Sequence, residues 1–143
     1  MYSTKHSLLS NNKNILIVED DPINYMLLKE ILTLNNYNVT IAQNGKEAVK
    51  IIKSDKNKFF LILMDIKMPI MNGFEACSII KKIKNIPIIA QTADILTNTT
   101  EKFEKYNFDK VIYKPFSIDH IIKIVEFYFL ENKKFKNLHL QLN

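Results

Sequence analysis

Short apolar runs recur along this chain, each followed by a stretch of helical period. Asn14 to Val18, Val39 to Ala42, Phe60 to Met64, Pro87 to Ala90 and Lys110 to Tyr113 are short runs that read as strands. The most continuously apolar of them suit strands buried on both faces. Behind the first run, Pro22 suits the first position of a helix, and Asp20 or Asp21 can cap it. Ile23, Leu27, Ile31 and Leu34 follow at helical spacing as its expected core face, and Asn35-Asn36 ends it. Asn44 and Glu47, three apart, resemble a capping box ahead of Ala48, Val49, Ile51 and Ile52. The helix from Phe74 to Ile83 turns Phe74, Cys77 or Ser78, and Ile80 inward, and residues 95–105 form a weaker, more polar helix. Ser117 caps a last helix with Ile118, Ile121, Ile122, Val125 and Phe129 on one face. No pattern is sustained from Asn132 onward, and partial disorder is expected there.

Strand followed by helix, five times over, implies a parallel sheet with helices on both faces and right-handed connections. The expected fold is a doubly wound, five-stranded parallel sheet in the order 2-1-3-4-5, the flavodoxin-like arrangement. With 143 residues the chain suggests one domain, placed at 13–131 between tails at 1–12 and 132–143. That length allows a proper core.

Composition then removes several kinds of function. Two glycines in the whole chain leave no material for a dinucleotide fingerprint or a P-loop. The one cysteine, Cys77, can form no internal disulfide and reads as a small buried hydrophobe. The N-terminal residues lack the apolar core of a signal peptide, and no apolar run reaches the length of a membrane span, so a cytoplasmic location is expected. The net charge of +5 is spread over many lysines, with a small cluster at Lys133, Lys134 and Lys136. No recognition element accompanies that charge, so no direct nucleic-acid contact is expected. His6, His120 and His139 lie outside every motif and read as surface residues.

The strand ends carry the candidate chemistry. Strand one ends in Glu19 and Asp20, strand three in Asp65, strand four in Thr92 and strand five in Lys114. In the order 2-1-3-4-5 these groups converge on one rim, outside the carboxyl ends of the strands, where open α/β sheets place their ligands. Three carboxylates packed together raise one another's pKa. A hard divalent cation such as Mg²⁺ removes that penalty, and it favours a few carboxylates, waters and phosphate oxygens. A lysine ammonium and a threonine hydroxyl suit phosphoryl oxygens. The rim reads as a place where an aspartate accepts a phosphoryl group.

With these residues in order, the chain resembles the receiver domain of two-component response regulators, over about residues 13 to 131. The resemblance rests on IVEDDPIN at 17–24, LILMDIKMPIMNG at 61–73, PIIAQTA at 87–93 and YKPFS at 113–117. It implies that Asp65 is the phosphoacceptor. It implies that Asp20 and Asp65 bind Mg²⁺ directly, Glu19 acts through water, and the backbone carbonyl of Lys67 is a third metal contact. Thr92 and Lys114 would contact the phosphoryl oxygens, and the Lys114–Pro115 bond would be cis. Lys67 and Asp94, two residues beyond Asp65 and Thr92, would tune water access to the phosphoryl group. The wording of the first two motifs looks most like receivers of hybrid sensor histidine kinases. The donor would then be a histidine kinase or a histidine phosphotransfer domain, and the chain a switch, not an enzyme in its own right. Asp21 stands where the family usually has a neutral residue, and helix capping is its expected role.

Two departures from the family pattern stand out. Val111 occupies the usual place of a switching aromatic, three residues before the lysine, and Tyr113 lies one before it instead. Val111 is short and stiff at its first torsion, and Tyr113 lies roughly 6.5 Å further along the strand, so neither is expected to serve as the usual rotamer switch. Tyr106-Asn107 replaces the usual small residue and Gly before strand five, and Asn tolerates the left-handed conformation. A phosphatase of the haloacid dehalogenase type shares Asp, Thr, Lys and Mg²⁺, but it carries its nucleophile on the first strand with a second Asp two residues on. Here the acidic pair comes first and residue 67 is Lys. An interaction module without phosphate signalling would have no need of Asp65, Thr92 and Lys114 together. The last helix leaves Ile124, Phe127, Tyr128 and Leu130 off its expected core face, to be covered by a second copy, making a homodimer, or by the chain's own tail.

Overall fold

The computed structural model describes residues 12–54, 56–94 and 100–142. Five strands, β1 (Asn14–Val18), β2 (Asn38–Ala42), β3 (Leu61–Asp65), β4 (Ile88–Thr92) and β5 (Lys110–Tyr113), form one sheet in the order β2-β1-β3-β4-β5. Every pairing is parallel. The helices are α1 (Pro22–Leu34), α2 (Gly45–Ser54), α3 (Gly73–Ile83), α4 (Thr100–Lys105) and α5 (Ile118–Leu142). The expected topology holds strand for strand.

Alternation along the strands builds two cores. Leu16, Val18, Ile62, Met64, Ile88 and Ala90 face α2, α3 and α4, while Ile15, Ile17, Leu61, Leu63, Ile89 and Ile112 face α1 and α5. Burying each such side chain contributes about 1.5–3 kcal/mol, which is why the strand ends, and the residues just past them, are held firmly in register. Caps fix where the helices begin. Asn44 Oδ1 accepts from the Glu47 N–H at 2.8 Å, and the Glu47 carboxylate reaches back to the Gln43 N–H at 3.0 Å. Ser117 Oγ accepts from the His120 N–H at 3.1 Å. Asn36 and Asn107 take up the left-handed conformation, with φ of 68° and 67°.

Four expectations from the apolar pattern need correction. The inward residues of α1 are Leu28, Ile31 and Leu32, whereas Ile23 is 79% and Leu34 77% exposed, and Leu27 is also exposed. This helix is apolar on more than one face, so its period alone does not select the face that the sheet covers. In α5 the buried residues are Ile121, Ile124 and Val125, and Ile118 is exposed. That helix also continues unbroken to Leu142, past the point at Asn132 where the pattern fades. The helix at 95–105 is described only from Thr100; residues 95–99 lie outside the described residues. Its anchorage is firmer than its polar composition suggests. Phe103 is buried, its ring 5.3 Å from Phe74 and 5.6 Å from Phe108.

Candidate functional site

The rim at the carboxyl ends of β1, β3, β4 and β5 gathers the expected residues. The Glu19 N–H donates to the Ala42 carbonyl at 3.0 Å, extending the ladder one residue beyond β1. This turns Glu19 inward, only 1% exposed, while Asp20 faces solvent. Asp21 is the cap of α1, its Oδ1 accepting from the Ile23 N–H at 2.9 Å. β3 ends in Asp65, whose Oδ1 accepts from the Ile66 N–H at 2.8 Å. β4 ends in buried Thr92, whose hydroxyl oxygen accepts from the Asp94 N–H at 3.1 Å. The Lys114 N–H donates to the Thr92 carbonyl at 2.8 Å, so Lys114 sits one residue past β5, and the bond to Pro115 is cis, as expected.

The electrostatics follow from that packing. Glu19, Asp20 and Asp65 each offer a carboxylate oxygen within 4.8 Å of the others. The Lys114 ammonium donates to Glu19 Oε2 at 3.0 Å and lies 3.7 Å from Asp65 Oδ1. Lys114 therefore bridges the two carboxylates and is held closer to Glu19. Burial, followed by the charge of Glu19, pushes the Asp65 carboxyl up to about 6, against the lowering effects of Lys114 and the Ile66 N–H. A cluster of hard oxygen donors that repel one another fits Mg²⁺. Asp65, Lys67, Thr92, Ala93, Asp94 and Lys114 line a cleft of about 450 Å³. A second cleft beside it takes in Asp20, Lys67, Asn72 and Asp94. Lys67 and Asp94, on either side of the mouth, form an ion pair at 3.6 Å.

On β5 the register adds a finding. Val111 pairs with Ala90 and packs partly buried against the α2–α3–α4 core, while Tyr113 pairs with Thr92 itself and is 39% exposed. The expectation that Tyr113 does not serve as the usual rotamer switch measured its place from Val111 along the strand. The cross-strand register puts it next to Thr92.

Both glycines support the site. The Gly73 N–H donates to the Ile66 carbonyl at 2.9 Å, and a Cβ at Gly73 would stand 2.3 Å from the Asp65 carbonyl oxygen. The Gly45 N–H donates to the Met71 carbonyl at 3.1 Å, and a Cβ there would stand 2.7 Å from that oxygen. Between them, Ile70 is held at φ 71° in a three-residue turn closed by the Met71 N–H and the Pro69 carbonyl at 2.7 Å. Met-Pro at 68–69 and Asn-Gly at 72–73 were the turn signals available for this loop. Nothing in the sequence marks Ile70 as strained.

Comparison with known proteins agrees with this geometry. Residues 15–126 match the family model of the response regulator receiver domain. The chain is 36% identical over 121 residues to hybrid signal transduction histidine kinase I of Dictyostelium discoideum, covering 79% of this chain and 7% of that kinase. It is 29% identical over 119 residues to the polar-differentiation response regulator DivK of Brucella anthropi, covering 81% of this chain and 95% of that protein. Among solved structures, it resembles the receiver domain of sensor histidine kinase PA1611 from Pseudomonas aeruginosa PAO1, which holds a magnesium ion in its active-site cleft. The TM-score is 0.75 at 29% identity, covering 83% of this chain and 98% of that one.

Proposed function

The chain belongs to the response regulator receiver domain family, and on that premise we propose that Asp65 accepts a phosphoryl group from a phosphohistidine. The observation that carries this reading is the meeting of Glu19, Asp20 and Asp65 with Lys114 around one cleft at the sheet rim. Asp65 Oδ1 is engaged by the Ile66 N–H and faces Lys114. Oδ2 is therefore the oxygen proposed to attack phosphorus, with the phosphorus–nitrogen bond of the donor imidazole breaking as the acyl phosphate forms. Lys114 and the Thr92 hydroxyl receive the phosphoryl oxygens. Asp20, Asp65 and the Lys67 carbonyl would hold Mg²⁺, with Glu19 acting through water, and the bound ion supplies charge neutralisation at the phosphoryl group. Lys67 and Asp94 set how easily water reaches the product.

The donor is a histidine kinase or a histidine phosphotransfer domain, in the cytoplasm. The chain is a signalling-switch domain and not itself a kinase, and its likeness both to a hybrid kinase and to a protein of similar length suits either setting. The face that α1 leaves exposed, with Ile23, Met26 and Leu27, begins directly behind Asp20 and is the proposed seat of the donor domain. Among the described residues, no helix is long and apolar enough to cross a membrane.

Incubation with acetyl phosphate and Mg²⁺ should raise the intact mass by one phosphoryl group, and Asp65→Asn should abolish the rise. Labelling that survives Asp65→Asn, or that proceeds fully in EDTA, would refute the assignment. Leu27→Glu should slow transfer from a phosphohistidine donor about tenfold and leave acetyl phosphate labelling unchanged; equal rates from the protein donor remove α1 from the proposal.

A further inference from the structure

We infer that Gln91 is a positioning residue for Lys114: its carboxamide oxygen receives the Lys114 ammonium when the rim carboxylates engage a metal ion. The inference rests on the metal site proposed above at Glu19, Asp20 and Asp65. Gln91 is only 1% exposed, and its side-chain oxygen is buried with no hydrogen-bond partner among the described residues. Folded proteins rarely leave such an atom unpaired, because a buried acceptor without a donor has given up water for nothing. Leucine or methionine would fill the same place without that cost.

The register places Gln91 in the site's own row. Across the sheet Asp65 pairs with Gln91 and Gln91 with Ile112, and one step beyond the Val18–Met64 pair Glu19 comes beside Asp65. Alternation sets the face. Ile17, Leu63 and Ile89, two residues back on β1, β3 and β4, lie in the core that faces α1 and α5, so Glu19, Asp65 and Gln91 start from that face too. Ile112 belongs to the same core, and Lys114 is two residues beyond it. The Lys114 ammonium lies 3.7 Å from Asp65 at the end of β3 and 3.0 Å from Glu19 just past β1. Because β4 stands between β5 and β3, the Lys114 side chain crosses the end of β4, where Gln91 stands.

An ammonium carries three N–H donors. Lys114 gives one to Glu19 Oε2 and lies in ion-pair range of Asp65. Glu19 and Asp65 also belong to the proposed metal site, so Lys114 and a divalent cation compete for the same charges and repel each other. Withdrawing the ammonium by one strand spacing, roughly 5 Å, from above β3 to above β4 relieves that repulsion. With an apolar residue at 91 the withdrawn ammonium would face hydrocarbon. Gln91 offers it an acceptor there without adding a charge. Lys114 then waits one strand away from the phosphoryl oxygens it receives at Asp65.

Calorimetric titration of the full chain with Mg²⁺ should show Gln91→Leu binding about tenfold more weakly than the wild type. The same variant should unfold at a higher urea concentration in EDTA, because leucine removes an unpaired amide. In a Lys114→Met background the Gln91→Leu change should leave Mg²⁺ affinity unmoved, since the ammonium it serves is gone. With glutamine labelled at its side-chain carbonyl carbon, the Gln91 resonance should shift on Mg²⁺ addition in the wild type and much less in Lys114→Met. A wild type that binds no Mg²⁺ removes the proposed metal site and this inference with it. A wild type that binds Mg²⁺ while Gln91→Leu binds it equally well overturns this inference alone. So does a Gln91→Leu protein that unfolds more easily in EDTA, and so does an equal loss of affinity in both backgrounds or a Gln91 resonance that Mg²⁺ leaves in place.

Discussion

Asp65→Asn should make this protein more stable at neutral pH, even as it removes the residue on which the proposed chemistry depends. Asp65 is lifted from 3.8 to about 6 by burial and by the charge of Glu19. A shift of about two units corresponds to roughly 3 kcal/mol of strain in the ionised form. Asparagine keeps the oxygen that accepts from the Ile66 N–H at 2.8 Å and removes only the charge. Part of the gain is lost because Lys114, 3.7 Å away, gives up one of its two carboxylates. The net expectation is about 1–2 kcal/mol, or several degrees in melting temperature. The pH dependence has a definite sign. A carboxyl whose pKa rises on folding binds its proton more tightly in the folded state, so the ionised form is the destabilising one. The penalty in the wild type is fully present above about pH 6 and fades as the pH falls from about 6 toward 4. Urea titrations of both proteins in EDTA should therefore diverge at pH 7.5 and converge near pH 4.5. Adding Mg²⁺ at pH 7.5 should stabilise the wild type more than the variant. A variant less stable than the wild type at pH 7.5 in EDTA, or a gap that widens on acidification, would refute the reasoning.

Ile70→Gly should stabilise the fold by about 1–2 kcal/mol, because a β-branched residue at φ 71° is strained and its side chain is 76% exposed; urea unfolding reads this directly. Gly73→Ala should cost about 2 kcal/mol or more and slow labelling by acetyl phosphate, since the new methyl group meets the Asp65 carbonyl oxygen; unchanged labelling would mean that the loop yields without moving Asp65. Asp94→Ala, which breaks the pair with Lys67 across the cleft mouth, should change the rate of dephosphorylation measured by loss of the mass shift, and an unchanged rate would remove Asp94 from the site's chemistry.

The legible parts of this fold were those set by one-dimensional rules. A run of four or five apolar residues can only be a strand buried on both faces, and alternation with helices then leaves few topologies. Glu19, Asp20, Asp65, Thr92 and Lys114 were legible because each stands at such a strand's end, so finding the strands also found the rim. Helix faces were less legible. Ile23, Leu27 and Leu34 satisfy the helical period as well as Leu28 and Leu32 do, and only the sheet's position decides between them. The outer part of α5 was missed for the opposite reason. Its apolar residues, Phe135, Leu138, Leu140 and Leu142, are exposed and stand among lysines and amides, with no core face to mark them as helical.

What no reading along a strand can supply is the register between strands, and here that decides how the site connects to the rest of the molecule. Counted along β5, Tyr113 is two residues from Val111, where an aromatic was expected. Counted across the sheet, it is the neighbour of Thr92. A movement of Thr92 toward a phosphoryl group would be felt first by Tyr113, whose ring is already partly in solvent, and only secondarily at Val111, which sits against Ala90. The same movement would pull on the Asp94 N–H that Thr92 accepts from, on the way along the chain to α4. That helix is short, but Phe103 ties it to Phe74 at the start of α3. Displacement of α4 would therefore be limited by that aromatic cluster. A switch that begins at Thr92 and its neighbour Tyr113 needs no aromatic at 111.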